Sequence, residues 1–348
     1  MNNDWKNYLL NNGAEQNDEG LFIFDSAFSD SGSAEDNDII CDLSHFSTIV
    51  VAGGDAADVI QGQFTNDVKK VDEEHSQISA FCNNKGRMLA NFRLFQNQQN
   101  YFLSIRSDLV ESSIEHLQKY ILRAQVAIQD VSEQLVHIGI SGKNAQTLLS
   151  PFIDKLNTEV DSVTSNDDFI AIRVAGTVPR YEVLCSLEHA RKLWEAISGS
   201  AKVVNSAFWD YLNIRSGLPF IDSNTRGEFV PQMANMELIN GVSFEKGCYT
   251  GQEIVARTHY LGKQKRRSYR IKILTDTMPK AGDQLATDTS TENQYTGTLV
   301  TVYQTAENEY EALAVIQIKS AESDELKLKH ADAEISILEL PYSIEDRE

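Results

Sequence analysis

Four short stretches near the end of the chain alternate apolar and polar residues, which is the two-residue period of a half-buried β-strand. These stretches are separated by turn residues and cover 268–273, 295–303, 312–318 and 333–338. Consecutive short strands joined by turns favour antiparallel pairing. The pattern therefore predicts a small antiparallel β-barrel over residues 263–342.

The residues before this barrel mix strands with helices. Residues 48–64 predict a strand, two glycines and a helix, and residues 80–95 predict a β-hairpin with its turn at Asn83-Asn84-Lys85-Gly86. The strand–glycine–helix order resembles a phosphate loop, but no Lys-Ser or Lys-Thr pair follows, so we reject nucleotide binding there. Residues 135–202 predict a small α+β domain, and residues 206–217 predict a further helix. The fold class predicted is α+β.

The first forty residues differ in composition from the rest. They are rich in Asn, Asp, Ser and Glu, and only the apolar run 21–24 predicts a strand. The stretch 29–38 predicts a mobile solvated loop. Residues 1–40 are accordingly expected to be an acidic, partly flexible extension.

Composition excludes several classes of protein. The chain has 31 basic and 51 acidic residues and a net charge of −20, which argues against a broad nucleic-acid-binding face. Its four cysteines show no Cys-x-x-Cys spacing and no paired histidines. No metal site is therefore predicted, and a reducing compartment is expected. No apolar run reaches the roughly 18 residues of a membrane span, so we predict a soluble, cytoplasmic protein without membrane contact.

The segment 244–257, Phe-Glu-Lys-Gly-Cys-Tyr-Thr-Gly-Gln-Glu-Ile-Val-Ala-Arg, predicts the start of a helix. Thr250 followed three residues later by Glu253 is the pattern of a capping box, so the helix is expected to begin at Gly251. Gly262 is the expected end. The residues expected to face inward are Ile254, Val255 and Tyr260.

Cys248 lies just before this helix start. The positive end of the helix dipole and the charge of Lys246 both favour the thiolate over the thiol. Gly247 and Gly251 indicate a tight backbone path whose N–H groups can approach a ligand. From the residues alone, a reactive thiol and a buried structural cysteine are equally good interpretations.

The octapeptide 246–253, Lys-Gly-Cys-Tyr-Thr-Gly-Gln-Glu, resembles the signature of the YgfZ family, folate-binding proteins linked to tRNA modification and to iron–sulfur enzyme maintenance. Residues 54–67 and 340–345 also resemble that family, which is itself similar to the T-protein aminomethyltransferase of glycine cleavage. The resemblance implies a three-domain T-protein-like folate-binding fold with a C-terminal antiparallel β-barrel. The implied domains are a folate-binding domain of residues 41–134 plus 203–262, the small α+β domain 135–202, and the barrel 263–342.

The same resemblance implies a function. The implied function is that of a folate-binding protein that supports iron–sulfur enzyme maintenance and thereby tRNA modification. Cys248 would be its functional thiol, with Lys246 beside it. The cofactor would be tetrahydrofolate or a folate derivative, and the partners would be iron–sulfur enzymes such as tRNA-modifying enzymes. Whether the chain is itself an enzyme stays open at this point.

Two alternatives are kept: a folate-dependent aminomethyltransferase of the T-protein type, and a non-catalytic scaffold that binds a protein. The transferase is disfavoured because Ala90-Asn91 stands where the T-protein has a pair of aspartates. Neither a methyl group nor an amide relays a proton.

A folate pocket needs an aromatic face, polar groups for the pterin edge and a cation for the glutamate tail. By resemblance, Trp209 is a folate-contacting residue, and Phe46 stands where the family has a second tryptophan. The candidate cations are Arg215, Arg226 and Arg257. We expect this pocket where the domains meet, with Gly86, Trp209 and Cys248 around it.

A local run of positive charge follows the motif, because seven of the sixteen residues 257–272 are Lys or Arg. We interpret this run as the solvated rim of a domain joint. A contact with tRNA or with a polyglutamate tail is the alternative.

Overall fold

The structure is a computed structural model that describes residues 1–24, 37–287, 295–322 and 326–344. The chain divides into two compact units. The first unit comprises Met1–Gln61, Val68–Gln77 and Phe92–Trp209; the second comprises Gly62–Asp67, Ile78–Asn91 and Asp210–Glu348. The predicted solvated loop 29–38 lies almost wholly outside the described residues. The predicted domain boundaries stay a prediction.

Helices and strands alternate irregularly along the described residues. The helices are α1 (Asn3–Asn11), α2 (Ala56–Gln61), α3 (Val110–Gln118), α4 (Ala145–Leu149), α5 (Leu187–Ser198), α6 (Phe208–Arg215), α7 (Gln252–Tyr260) and α8 (Ile318–Ala321). The strands are β1 (Glu15–Gln16), β2 (Phe22–Ile23), β3 (Ile39–Asp42), β4 (Phe46–Ala52), β5 (Gln77–Cys82), β6 (Met88–Asn97), β7 (Asn100–Arg106), β8 (Ala127–Asp130), β9 (Val136–Ser141), β10 (Val163–Ser165), β11 (Phe169–Val174), β12 (Arg180–Cys185), β13 (Lys202–Val203), β14 (Arg266–Leu274), β15 (Gln284–Ala286), β16 (Gly297–Ala306), β17 (Glu309–Gln317), β18 (Lys327–Leu328) and β19 (Glu334–Leu338). Within the described ranges, every helix is too short or too polar to cross a membrane.

The first unit contains a six-stranded sheet in the order β10-β11-β12-β9-β3-β13. Its central strands pair antiparallel, and β13 alone joins β3 in parallel. The strands β9 and β12 are buried along their whole length. Side chains on both faces of these strands are therefore enclosed, so any polar residue among them needs a partner.

A second sheet has the order β5-β6-β7-β4-β8. Strand β6 pairs antiparallel with β7, and β7 pairs antiparallel with β4. The turn between β5 and β6 is the predicted one at 83–86, because Gly86 N donates to Asn83 O over 2.9 Å. This hairpin is important for the site below, since its turn belongs to the second unit.

Helix α1 was not predicted from the sequence. Asn2 caps it, because its Oδ1 accepts from the backbone N–H groups of Asp4 and Trp5. Trp5 and Leu9 lie four residues apart on one face, and both are buried in the core of the first unit. The polar composition of the segment concealed this narrow apolar stripe.

The second unit contains a six-stranded sheet in the order β18-β15-β16-β17-β14-β19. Its long central pairs, β14 with β17 and β16 with β17, are antiparallel. One curled face encloses an apolar core that includes Ile271, Leu299 and Ala314. The predicted C-terminal antiparallel barrel is confirmed as this curled sheet.

Candidate functional site

The segment that carries Cys248 runs beside an earlier loop of the second unit. Ser243 N donates to Thr65 O over 3.0 Å. Asn66 Nδ2 donates to Asn240 O over 2.6 Å. Because both bonds use a backbone group of the later segment, they fix the path of the chain on the approach to Cys248.

Lys246 adds a third link between the two segments. Its ammonium is buried and donates to the carbonyl oxygens of Phe64, at 2.6 Å, and Asn66, at 3.1 Å. The ring of Tyr249 lies 5.1 Å from the same nitrogen. Burial lowers the pKa of Lys246 to about 8. The ammonium of Lys246 thus links its own segment to the backbone of the earlier loop. The predicted effect of its charge on the thiol of Cys248 stays a prediction.

Two glycines bring the hairpin turn onto the start of α7. Gly251 has a φ of +84°, and a Cβ there would lie 2.5 Å from Asn83 O and 2.9 Å from Gly86 Cα. Gly86 has a φ of +69°, and its Cβ would lie 2.9 Å from Ile254 Cβ. Only glycine satisfies both the left-handed backbone and the close approach. The turn and the motif therefore form one packed piece.

The predicted capping box is wrong. The helix begins at Gln252, and its N-cap is Gly251, which provides no side-chain hydrogen bond. The hydroxyl of Thr250 is instead 3.1 Å from Gln63 Oε1. The left-handed backbone of Gly251 inserts a turn between Thr250 and the helix, so the hydroxyl is directed to the neighbouring loop.

The predicted inward face of α7 is also wrong in part. Val255 is fully buried, as predicted. Ile254 is 37% exposed and Tyr260 is 65% exposed. Helix α7 packs against the protein through the face of Val255, and Gln232 Nε2 donates to Val255 O over 2.6 Å.

Gly251→Ala is expected to destabilise the second unit by about 2–4 kcal/mol. About 1–2 kcal/mol comes from the left-handed backbone, and the remainder comes from overlap with the carbonyl of Asn83. Urea unfolding followed by circular dichroism measures the change. Gly247→Ala is the matched control, because a Cβ at Gly247 meets nothing within 4 Å. Equal stability of the two variants would contradict the packing described above.

Cys248 is the exposed cysteine among the four, whereas Cys41, Cys82 and Cys185 are buried. Burial raises the pKa of Cys82 and that of Cys185 to about 12. Of the two interpretations left open above, the buried structural cysteine is wrong. Neighbouring Gly247 is also exposed.

The two aromatic residues assigned to folate by resemblance lie in the first unit, and both are buried. Trp209 Nε1 donates to Glu182 Oε1 over 3.4 Å, and the guanidinium of Arg180 lies 4.2 Å from the indole ring centroid. The ring of Phe46 lies 6.3 Å from that of His137. His137 Nε2 lies 3.5 Å from Glu182 Oε2. One buried His137–Glu182 pair therefore lies between the two aromatic residues.

Sequence reasoning did not identify this polar pair or Arg180. Burial would by itself raise the pKa of Glu182, but the close approach of His137 and the charges of Arg93 and Arg180 outweigh burial and lower it. Burial lowers the pKa of Arg180 to about 9, against the opposing effect of Glu182. The signal in the sequence was a set of polar residues inside two otherwise apolar strands, β9 and β12.

The three arginines assigned to the folate tail lie on different elements of the second unit. Arg215 is half-buried on α6, with its guanidinium 5.8 Å from the ring of Tyr211. Arg226 is exposed in the turn after α6, and Arg257 is exposed on α7. Their role stays a prediction, as does a shared pocket with Gly86, Trp209 and Cys248.

Asn91, which stands where the T-protein has an aspartate, is fully buried. Its Nδ2 donates to Pro219 O and its Oδ1 accepts from Ile221 N, both over 2.7 Å. Both ends of the amide are therefore used to hold the loop after α6.

Comparison with known proteins agrees with this architecture. Residues 24–243 match the family model of the GCVT N-terminal domain. The fold is similar to that of glycine cleavage system aminomethyltransferase T from Bartonella henselae, with a TM-score of 0.77, 16% identity, and 96% of each chain covered. The architecture is thus that of the GCVT-like class, and the predicted fold class is confirmed.

Sequence relatives specify the family within this class. The chain is 31% identical over 305 residues to tRNA-modifying protein YgfZ of Klebsiella pneumoniae (strain 342), covering 87% of this chain and 93% of that protein. It is 30% identical over 303 residues to the protein of the same name from Yersinia pestis (strain Pestoides F), covering 87% and 92%. The chain belongs to the YgfZ family, and the predicted resemblance is confirmed.

Proposed function

We propose that this chain is a folate-binding protein that supports the maintenance of iron–sulfur enzymes and thereby tRNA modification, with Cys248 as its functional thiol. The observation that carries the proposal is the exposure of Cys248 within an otherwise firmly fixed segment. The relatives are named tRNA-modifying proteins. The T-protein resemblance supports folate as the cofactor.

The contacts of the motif favour a role for the thiol. Lys246, Ser243 and Gly251 are all used to fix the backbone on either side of Cys248. The side chain of Cys248 itself stays exposed, and a Cβ on Gly247 would meet nothing within 4 Å. A pre-organised thiol beside an open backbone is the arrangement expected when a second molecule must approach the sulfur.

Folate binding would involve the first unit through Phe46 and Trp209. Because Trp209 is fully buried and contacts both Arg180 and Glu182, we propose that it acts by holding these two side chains in place. Phe46 is 4% exposed and packs beside His137 in the same way. The pterin edge carries donors and acceptors that such a fixed polar group can recognise.

The aminomethyltransferase alternative is disfavoured by the contacts of Asn91. Its amide binds Pro219 at one end and Ile221 at the other, and it carries no titratable proton. The scaffold alternative predicts no dependence on the thiol. Measurements of folate binding and of the Cys248→Ser variant therefore distinguish both alternatives from the proposed function.

Trp209→Phe is expected to weaken tetrahydrofolate binding about twofold to tenfold. Phe cannot donate to Glu182, and the lost hydrogen bond is worth about 0.5–1.5 kcal/mol, where each 1.4 kcal/mol corresponds to about a factor of ten. Titration calorimetry on wild type, Trp209→Phe and Cys248→Ser measures the affinity. Trp194→Phe is the matched control, because Trp194 is buried in the same unit against Trp5. Wild-type affinity in a folded Trp209→Phe would remove this residue from the site, and absence of saturable binding to wild type would contradict folate as the cofactor.

A further inference from the structure

Large apolar side chains are exposed in the first turn of α7 and where the helix ends. Ile254 is 37%, Tyr260 65% and Leu261 84% exposed. We call the set Ile254, Arg257, Tyr260, Leu261, Lys263 and Lys265 the α7 surface. Contiguous apolar exposure rimmed by polar groups is typical of a protein-binding site.

Within residues 254–266 every charged side chain is basic. No acidic residue occurs from position 254 to position 266, in a chain of net charge −20. Arg257, Lys263 and Lys265 are exposed and form no ion pair with another described residue. The cations that follow are paired differently: Arg267 with Glu237, Arg270 with Glu311, and Lys272 with Glu309. Arg266, also on β14, has its guanidinium over the ring of Tyr295 at 5.1 Å. The cations of the basic run on β14 thus have partners among the described residues, whereas those of the α7 surface form no ion pair there.

The dipole of α7 explains only part of this arrangement of exposed cations and apolar side chains. The negative end of the helix dipole favours a cation such as Arg257 in the last turn of α7. Lys263 and Lys265 come after the helix has ended at Tyr260. The dipole also gives no reason for Tyr260 and Leu261 to stay in solvent, where apolar exposure is unfavourable.

The α7 surface is joined to the segment of Cys248. The ring of Phe244, four residues before the cysteine, stacks on His259 with centroids 3.7 Å apart and planes 11° apart. Phe244 also meets the ring of Tyr260 edge-on, at 6.1 Å. A partner bound to the α7 surface would therefore be held by the same structural piece that presents the thiol.

We propose that the α7 surface docks an acidic segment of a client protein, one that carries apolar side chains between its carboxylates. The proposal rests on the proposed function, in which Cys248 serves iron–sulfur enzymes. Tyr260 and Leu261 provide the buried anchor of such an interface, and the lysines provide charge complementarity at its rim. Tyr260 offers one exposed ring on which a base could stack, but Ile254 and Leu261 offer none and the rest of the chain is strongly acidic, so single-stranded nucleic acid fits less well.

The test uses a defined probe, a fluorescein-labelled amphipathic helical peptide of Leu and Glu, measured by fluorescence anisotropy. Lys263→Glu with Lys265→Glu is expected to weaken binding at least about tenfold, because like charges then face each other. Tyr260→Ala with Leu261→Ala is expected to weaken it similarly. Lys280→Glu is the control for a change of charge at another exposed lysine of the second unit. Wild-type binding should weaken with added salt.

Three results would overturn the proposal. The first is equal binding of the peptide by wild type and the double lysine variant. The second is tighter binding of an oligouridine RNA than of the peptide, with the RNA binding lost in that variant, which would assign the surface to nucleic acid. The third is a dimer of this chain, seen by sedimentation, that the same variant disrupts, which would assign the surface to a second copy.

A cell assay separates this proposal from the proposed function. Variants are expressed in a bacterium that lacks its own relative, and tRNA modification by an iron–sulfur enzyme is quantified by mass spectrometry. Partial rescue by the double lysine variant and no rescue by Cys248→Ser support both proposals. Full rescue by the lysine variant overturns the docking surface alone. Full rescue by Cys248→Ser overturns the proposed role of the thiol, and the peptide measurement still decides the surface.

Discussion

Cys248→Ser is expected to abolish rescue of iron–sulfur enzyme activity in cells that lack their own relative of this chain. The side chain is exposed, and the contacts that fix the segment come from its neighbours Lys246 and Gly251. The change is nearly isosteric and replaces a thiol by a hydroxyl, which is a far weaker nucleophile and metal ligand at neutral pH. The free energy of unfolding should change by less than about 0.5 kcal/mol.

Cys82→Ser is the matched control for this result. Cys82 is fully buried at the end of β5. A serine hydroxyl there would lose its hydrogen bonds to water, so the substitution is expected to lower the free energy of unfolding by about 1–3 kcal/mol. Rescue by this variant should fall only in proportion to the folded protein that remains. The pair of variants therefore separates loss of the thiol from loss of the fold.

Alkylation with iodoacetamide provides an independent check on accessibility. In the native wild type, Cys248 should react at pH 7, and the three buried cysteines should react only after unfolding. The native Cys248→Ser variant should then take up almost no label. A Cys248 that reacts only under denaturing conditions would contradict the functional assignment.

Trp5→Ala is expected to destabilise the first unit by about 3–5 kcal/mol, the range for removing a large buried aromatic side chain. Trp5 is 1% exposed and lies edge-on to Trp194, with ring centroids 5.5 Å apart. Its Nε1 donates to Asp42 Oδ1 over 2.7 Å, so the substitution also removes a hydrogen bond from a buried carboxylate. Urea unfolding followed by circular dichroism measures the difference.

Leu10→Ala on the same helix is the control for this prediction. Leu10 is 37% exposed, and its loss should cost less than about 1 kcal/mol. A Trp5→Ala variant no less stable than Leu10→Ala would mean that α1 contributes little to the core. The first residues would then behave as the flexible extension that their composition suggests.

The sequence by itself determined the features that depend on neighbouring residues. The turn at 83–86, the alternating strands of the C-terminal sheet and the helix after Cys248 all follow from local patterns and from the backbone preferences of glycine and asparagine. The eight residues around Cys248 also sufficed to indicate the family. Local rules worked here because each element is stabilised first by its own hydrogen bonds and turn geometry.

Tertiary structure alone decided which partners the polar side chains around Cys248 and Trp209 have. Thr250 was free to cap α7 by its spacing, yet its hydroxyl lies beside Gln63, which is 187 residues earlier in the chain. Lys246, two residues before the thiol in sequence, donates to carbonyl groups 180 and 182 residues away. His137 and Glu182 meet only because β9 and β12 pair across the sheet. Long-range pairing of strands brings these groups together, and no periodicity within a short stretch contains that information.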